Sequence, residues 1–129
     1  MAAARWVQRT LKDPAIDSRL RVYAIWFNMF PGDARQHWRG TLLTDARVRH
    51  YWDEQRVVGR LYLQTLPAIW PKRSPETVLP DADALWDAYL LYGRDTDWAD
   101  QPPAVISWGA PILRSSEALA RDLERLVKP

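Results

Sequence analysis

Cysteine is absent from the 129 residues. A disulfide framework, a thiolate zinc site and thiol redox chemistry are therefore excluded for this chain. Histidine is nearly as scarce. His37 and His50 stand alone, with no His-x-x-x-His or Glu-x-x-His pair, so both are expected as packing or surface residues rather than metal ligands. Five glycines are too few and too scattered for a phosphate cradle, and Gly32 before Asp33 is explained by a tight turn. Ser107 lies in VISWG, without the Gly-x-Ser-x-Gly turn of a hydrolase nucleophile. No apolar run approaches the roughly 18–20 residues that span a bilayer. The opening MAAARWVQRTL lacks the apolar stretch and cleavage site of a signal peptide, so the expected location is the cytoplasm, unless the true start and a secretion signal lie upstream. The formal charge is only +2, with Arg interleaved among acids and no block of like charge, which points to neither a nucleic acid nor a membrane as partner.

Tryptophan and proline are plentiful, with eight and ten residues. The length suits one domain, residues 1–129, with a core built around indoles. Trp6, Val7, Thr10 and Leu11 fall on one face of a helix that stops at Asp13-Pro14. LRVYAIWF reads as a strand covered on both faces, and after Pro31-Gly32-Asp33 a helix carries Ala34, Trp38, Thr41 and Leu42. ARVRHYW is a second strand, and Asp53 caps a helix with the stripe Val57, Val58, Leu61, Tyr62 and Leu66, closed by Pro67. Residues 67–83 hold four prolines and read as a long surface loop. ALWDAYLLYG and AVISWG form an antiparallel pair, and Ser115 or Ser116 opens a final helix with Leu119, Leu123 and Leu126 on one face. The order predicts an α/β fold with a mixed sheet, parallel in its first half, flanked by helices.

Parallel neighbours in such a sheet place ligands at their carboxyl ends. That rim gathers Asn28, Asp33, Asp53 and Glu54. Paired carboxylates there would hold a hard cation or share a proton, whereas Asp33 and Asp53 as helix caps would explain both without chemistry. Strand alternation in LWDAYLLY turns Asp87 into an apolar layer, where Arg47, Arg49 or Arg60 is expected to pair with it, or where it becomes a perturbed acid in a pocket.

The segments VYAIWFNMFPGDAR, DARVRHYWDEQRVVGRLY and ALWDAYLLYGRDTDW, in this order, resemble a bacterial group of the thioredoxin-like superfamily with Trp-rich strand motifs. The resemblance implies a thioredoxin-like sheet whose first, central strand and Cys-x-x-Cys precede the helix AAARWVQRTL, and this sequence has neither. Loss of a central strand leaves unpaired edges and an apolar seam. Three explanations follow: the reading frame starts too late, a protein partner or a second copy supplies the strand, or another segment of the chain fills the gap. The expected function is a redox-inactive, cofactor-free interaction or assembly module. The alternatives are an N-terminally truncated thiol–disulfide oxidoreductase, and a metal- or small-molecule-dependent enzyme using Asp33 and Asp53.

Overall fold

A computed structural model of the chain describes residues 2–16, 19–28, 43–79, 81–94, 96–97, 99 and 102–127. The helix expected after Pro31-Gly32-Asp33, with Asp33 itself and His37, lies outside these residues. The fold is mixed α/β, with three α-helices and four strands in two small sheets among the described residues.

Helix α1 (Ala2–Leu11) is followed by β1 (Val22–Trp26) and β2 (Val48–Trp52), which pair in parallel with Val22 opposite Val48 and Trp26 opposite Trp52. Helix α2 (Val57–Ile69) runs into a short 3-10 turn, Trp70–Lys72. Strands β3 (Tyr89–Leu91) and β4 (Ser107–Gly109) pair antiparallel, and α3 (Ser116–Val127) follows. The parallel first pair and the late antiparallel pair match the sequence expectation. A single sheet does not form among the described residues: each sheet has two strands, so β1 pairs only with β2, and β3 only with β4.

The backbone register of β1 follows from its ends. Val22 N–H donates to Arg47 O, and Trp26 O accepts from Asp53 N–H. The two-residue period of a strand turns the polar groups of Ala24 the same way, and those of Tyr23 and Ile25 to the opposite, unpaired edge.

Three apolar clusters hold these pieces together. Around fully buried Trp108, the α2 residues Tyr62 and Leu66 pack with Leu85 and Val105, and with Leu90 of β3. A buried indole of this size contributes about 4–6 kcal/mol of transfer free energy. Its Nε1 donates to Ile69 O at 2.8 Å, so the polar corner is not stranded. On the other face of β3, Leu91 packs with Leu119 and Leu123 of α3. Against β1 and β2, Leu11, Leu43 and Val48 are buried with Val7, Val22, Ala24 and Trp26 around them. Helix α1 serves two of these clusters: Ala4, Val7 and Leu11 face the parallel pair, while Trp6 joins β3 and α3. Ile16 and Leu20, in the connection after α1, belong to both.

Four expectations need correction. Strand β1 is covered on one face only: Tyr23 is 60% exposed and Tyr51 beside it on β2 is 48% exposed, their rings stacked at 6.4 Å between centroids. Pro67 does not close α2 but sits inside its last turn, where the missing N–H affects a single hydrogen bond near a helix end. The predicted loop 67–83 thus begins as helix and 3-10 turn, and Ser74 N–H then bonds Trp108 O at 2.8 Å. ALWDAYLLYG is mostly not strand: only Tyr89–Leu91 pairs, because Asp87 has φ 50° and breaks the extended run.

Candidate functional site

The carboxyl ends of β1 and β2 bring Asn28, Asp53 and Glu54 to one rim, as the parallel pairing requires. The centre of that rim is a residue the sequence did not single out. Arg56 adopts φ 56°, ψ 32° just before α2, a left-handed backbone that a non-glycine residue seldom takes. From there its guanidinium donates to Asn28 O at 2.7 Å and to Asp83 Oδ1 at 3.1 Å, and lies 5.6 Å from the Phe27 ring centroid. Arg60 reaches the same Asp83 at 3.8 Å. Arg56 therefore clasps the end of β1 to the segment before β3.

Asp53 is used locally. Its Oδ1 accepts from Val57 N–H at 2.9 Å and its Oδ2 from Val58 N–H at 2.8 Å, which satisfies two of the orphan donors at the start of α2. Glu54 is exposed. Two polar atoms at the rim are buried without a hydrogen-bond partner: Asn28 Oδ1 and Trp52 Nε1. Among the described residues no group of three or more His, Asp or Glu could hold a metal ion.

His50 is anchored rather than free. Trp26 Nε1 donates to its Nδ1, and its Nε2 faces Leu43 O at 2.8 Å.

Asp87 lies elsewhere, and two of its three expected arginine partners face other acids: Arg47 binds Asp45 at 2.8 Å, and Arg60 faces Asp83, while Arg49 makes no ion pair with Asp87 among the described residues. Instead of pointing into an apolar layer, Asp87 lines a shallow groove of about 270 Å³ with Val78, Leu79, Trp86, Ala110, Pro111 and Arg114. Partial burial pushes its carboxyl pKa up, opposed in part by the neighbouring Ile112 N–H. The groove wall is held by Val78 N–H donating to Ala110 O at 2.9 Å, and the Ala110-Pro111 peptide is cis. Gly-Ala-Pro at 109–111, the one local signal for a turn here, is not among the sequence features singled out above, and strand periodicity gives no sign of a groove.

Behind it, Gly109 allows close approach. A Cβ there would lie 2.8 Å from the Tyr89 ring and 2.9 Å from the Ser115 side chain. Tyr89 OH, Ser107 Oγ and Ser115 Oγ are all buried without a well-formed hydrogen bond, and burial raises the Tyr89 phenol to about 12.

Compared with known proteins, the chain matches no family model, no curated protein and no solved structure. Among the described residues no helix is long and apolar enough to cross a membrane.

Proposed function

We propose that this chain is a thioredoxin-like interaction module without thiol chemistry, completed by an extended strand that enters between β1 and β3. The observation that supports it most is the position of α1, which packs on both two-stranded sheets while β1 and β3 each keep an edge unpaired among the described residues. Strand addition satisfies such edges through backbone hydrogen bonds and gains side-chain contacts every second residue. The cysteine-free composition supports a binding role over redox exchange. The acidic-rim enzyme has less support, because Asp53 commits both carboxylate oxygens to α2 backbone.

The occupant in this proposal is a protein strand from a partner or a second copy. A longer redox form, with a first strand ending in Cys-x-x-Cys, would fill the same space from its own chain. In-frame codons upstream of Met1 separate that form from the partner-completed one.

Molar mass in solution, combined with amide hydrogen exchange, tests the proposal. The expected result is a dimer or complex in which the Tyr23 and Ile25 amides are protected. A monomer that protects those two amides as strongly as Ala24 would overturn it, since the chain would then close its own edge.

A further inference from the structure

The groove beside Asp87 lies apart from the strand edges. Its lining is apolar on most sides: Val78, Leu79, Trp86, Ala110 and Pro111. Only two lining residues are charged, and they have opposite sign: Asp87 and Arg114. No ion pair joins them or ties either to another described residue. Arg114 is held from behind, its Nε donating to Glu76 O at 2.9 Å, which leaves the terminal guanidinium nitrogens without a described bond. The Glu76 carboxylate near it is engaged by the Ser74 hydroxyl at 2.7 Å. Asp87, exposed and at φ 50°, has no hydrogen bond or ion pair to its carboxylate among the described residues, so its acceptor capacity is open.

From this arrangement we propose that the groove binds a free apolar α-amino acid. The ammonium sits on Asp87, the carboxylate on Arg114, and the side chain lies against Trp86 and Pro111. Size supports the class. The groove's 270 Å³ lies below the range of about 300–1,000 Å³ usual for larger ligands, so a single small zwitterion fits and a dinucleotide does not. Charge supports it further: a ligand with both signs can engage Asp87 and Arg114 together, which an uncharged apolar ligand cannot.

Leucine titration of the full chain, followed by calorimetry and by indole N–H shifts, is the test. Leucine is expected to bind saturably and to perturb Trp86. N-acetyl-leucine, which lacks the ammonium, and leucinamide, which lacks the carboxylate, should each bind at least about tenfold more weakly, as the loss of a charge-assisted hydrogen bond predicts. Asp87→Asn preserves the left-handed backbone, which Asn tolerates. It should erase the preference for leucine over N-acetyl-leucine while keeping that over leucinamide, and Arg114→Gln should do the reverse. Arg114→Lys, which keeps the charge, should restore part of the leucinamide discrimination. No saturable leucine binding up to about 10 mM, the upper limit of a specific site this small, would overturn the proposal. So would equal binding of leucine and its blocked derivatives, or a discrimination pattern unaffected by either substitution.

Discussion

Trp26 Nε1 donates a 3.0 Å hydrogen bond to His50 Nδ1, and the two rings lie nearly parallel with centroids 6.1 Å apart. The residues are diagonal rather than register partners, since Ala24 stands opposite His50. An indole N–H can only donate, so Nδ1 must accept, and the neutral ring carries its proton on Nε2, where Leu43 O accepts it. One imidazole thus joins β1 to the segment that leads into β2. Nitrogen NMR of His50 is expected to show the Nε2-protonated tautomer at neutral pH. His50→Ala should lower stability by about 2–3 kcal/mol in urea titration, the cost of two lost hydrogen bonds and the ring contact.

Acid sensitivity should centre on Asp45. Arg47 holds it through both carboxylate oxygens, at 2.9 and 2.8 Å, and keeps its carboxyl pKa at about 2. A depressed folded-state pKa contributes stability that is present above the unfolded value of 3.8 and fades as pH falls toward 2. The same Arg47 also donates to Leu11 O at the end of α1, and its carbonyl accepts from Val22 N–H, so losing the pair loosens the start of β1. Melting curves collected between pH 4 and pH 2 should show a decline in the native protein that is shallower in Asp45→Asn.

Alkaline pH acts on Tyr89. Its phenol is raised from 10 to about 12 by burial. A raised folded-state pKa means stability is complete below pH 10 and is lost as pH climbs through 12, where the unfolded chain releases the proton first. Tyr89→Phe should flatten that loss. Because the hydroxyl is buried without a well-formed partner, the substitution should also leave neutral-pH stability unchanged or raise it by up to about 1 kcal/mol. Thermal melting at pH 7 and pH 11 measures both effects.

A methyl group at Gly109 should be costly. The added Cβ would meet the Tyr89 ring at 2.8 Å and Ser115 at 2.9 Å, inside a packed corner between β3, β4 and the start of α3. Gly109→Ala is expected to destabilise by about 1–3 kcal/mol in chemical denaturation, the usual range for overpacking.

Periodicity made some of this fold legible and hid the rest for identifiable reasons. Helices α1 and α3 were readable because Val7 and Leu11, and Leu119 and Leu123, repeat at helical spacing and all reach apolar clusters. The parallel sense of the first strand pair followed from the alternation of strands and helices, and the antiparallel sense of the second from its short connection. What composition could not show was backbone geometry. Asp87 and Arg56 take positive φ, one ending a run of strand-forming residues early and the other aiming a guanidinium across the strand ends. Asn28, Asp53 and Glu54 lie at the carboxyl ends of β1 and β2, yet the clasp beside them depends on a torsion angle that no residue pattern announces. The groove was equally hidden, because Val78, Trp86, Pro111 and Arg114 are brought together from distant segments by the β3–β4 pairing.

A two-stranded ribbon is marginal in water on its own. Here two such ribbons share one ten-residue helix, with Val7 and Leu11 seated on the first and Trp6 on the second. Cooperativity of unfolding is thereby concentrated in α1: a shift of that helix is felt in both halves at once, and its detachment would leave Ile16, Leu20 and the Arg56 clasp to join them.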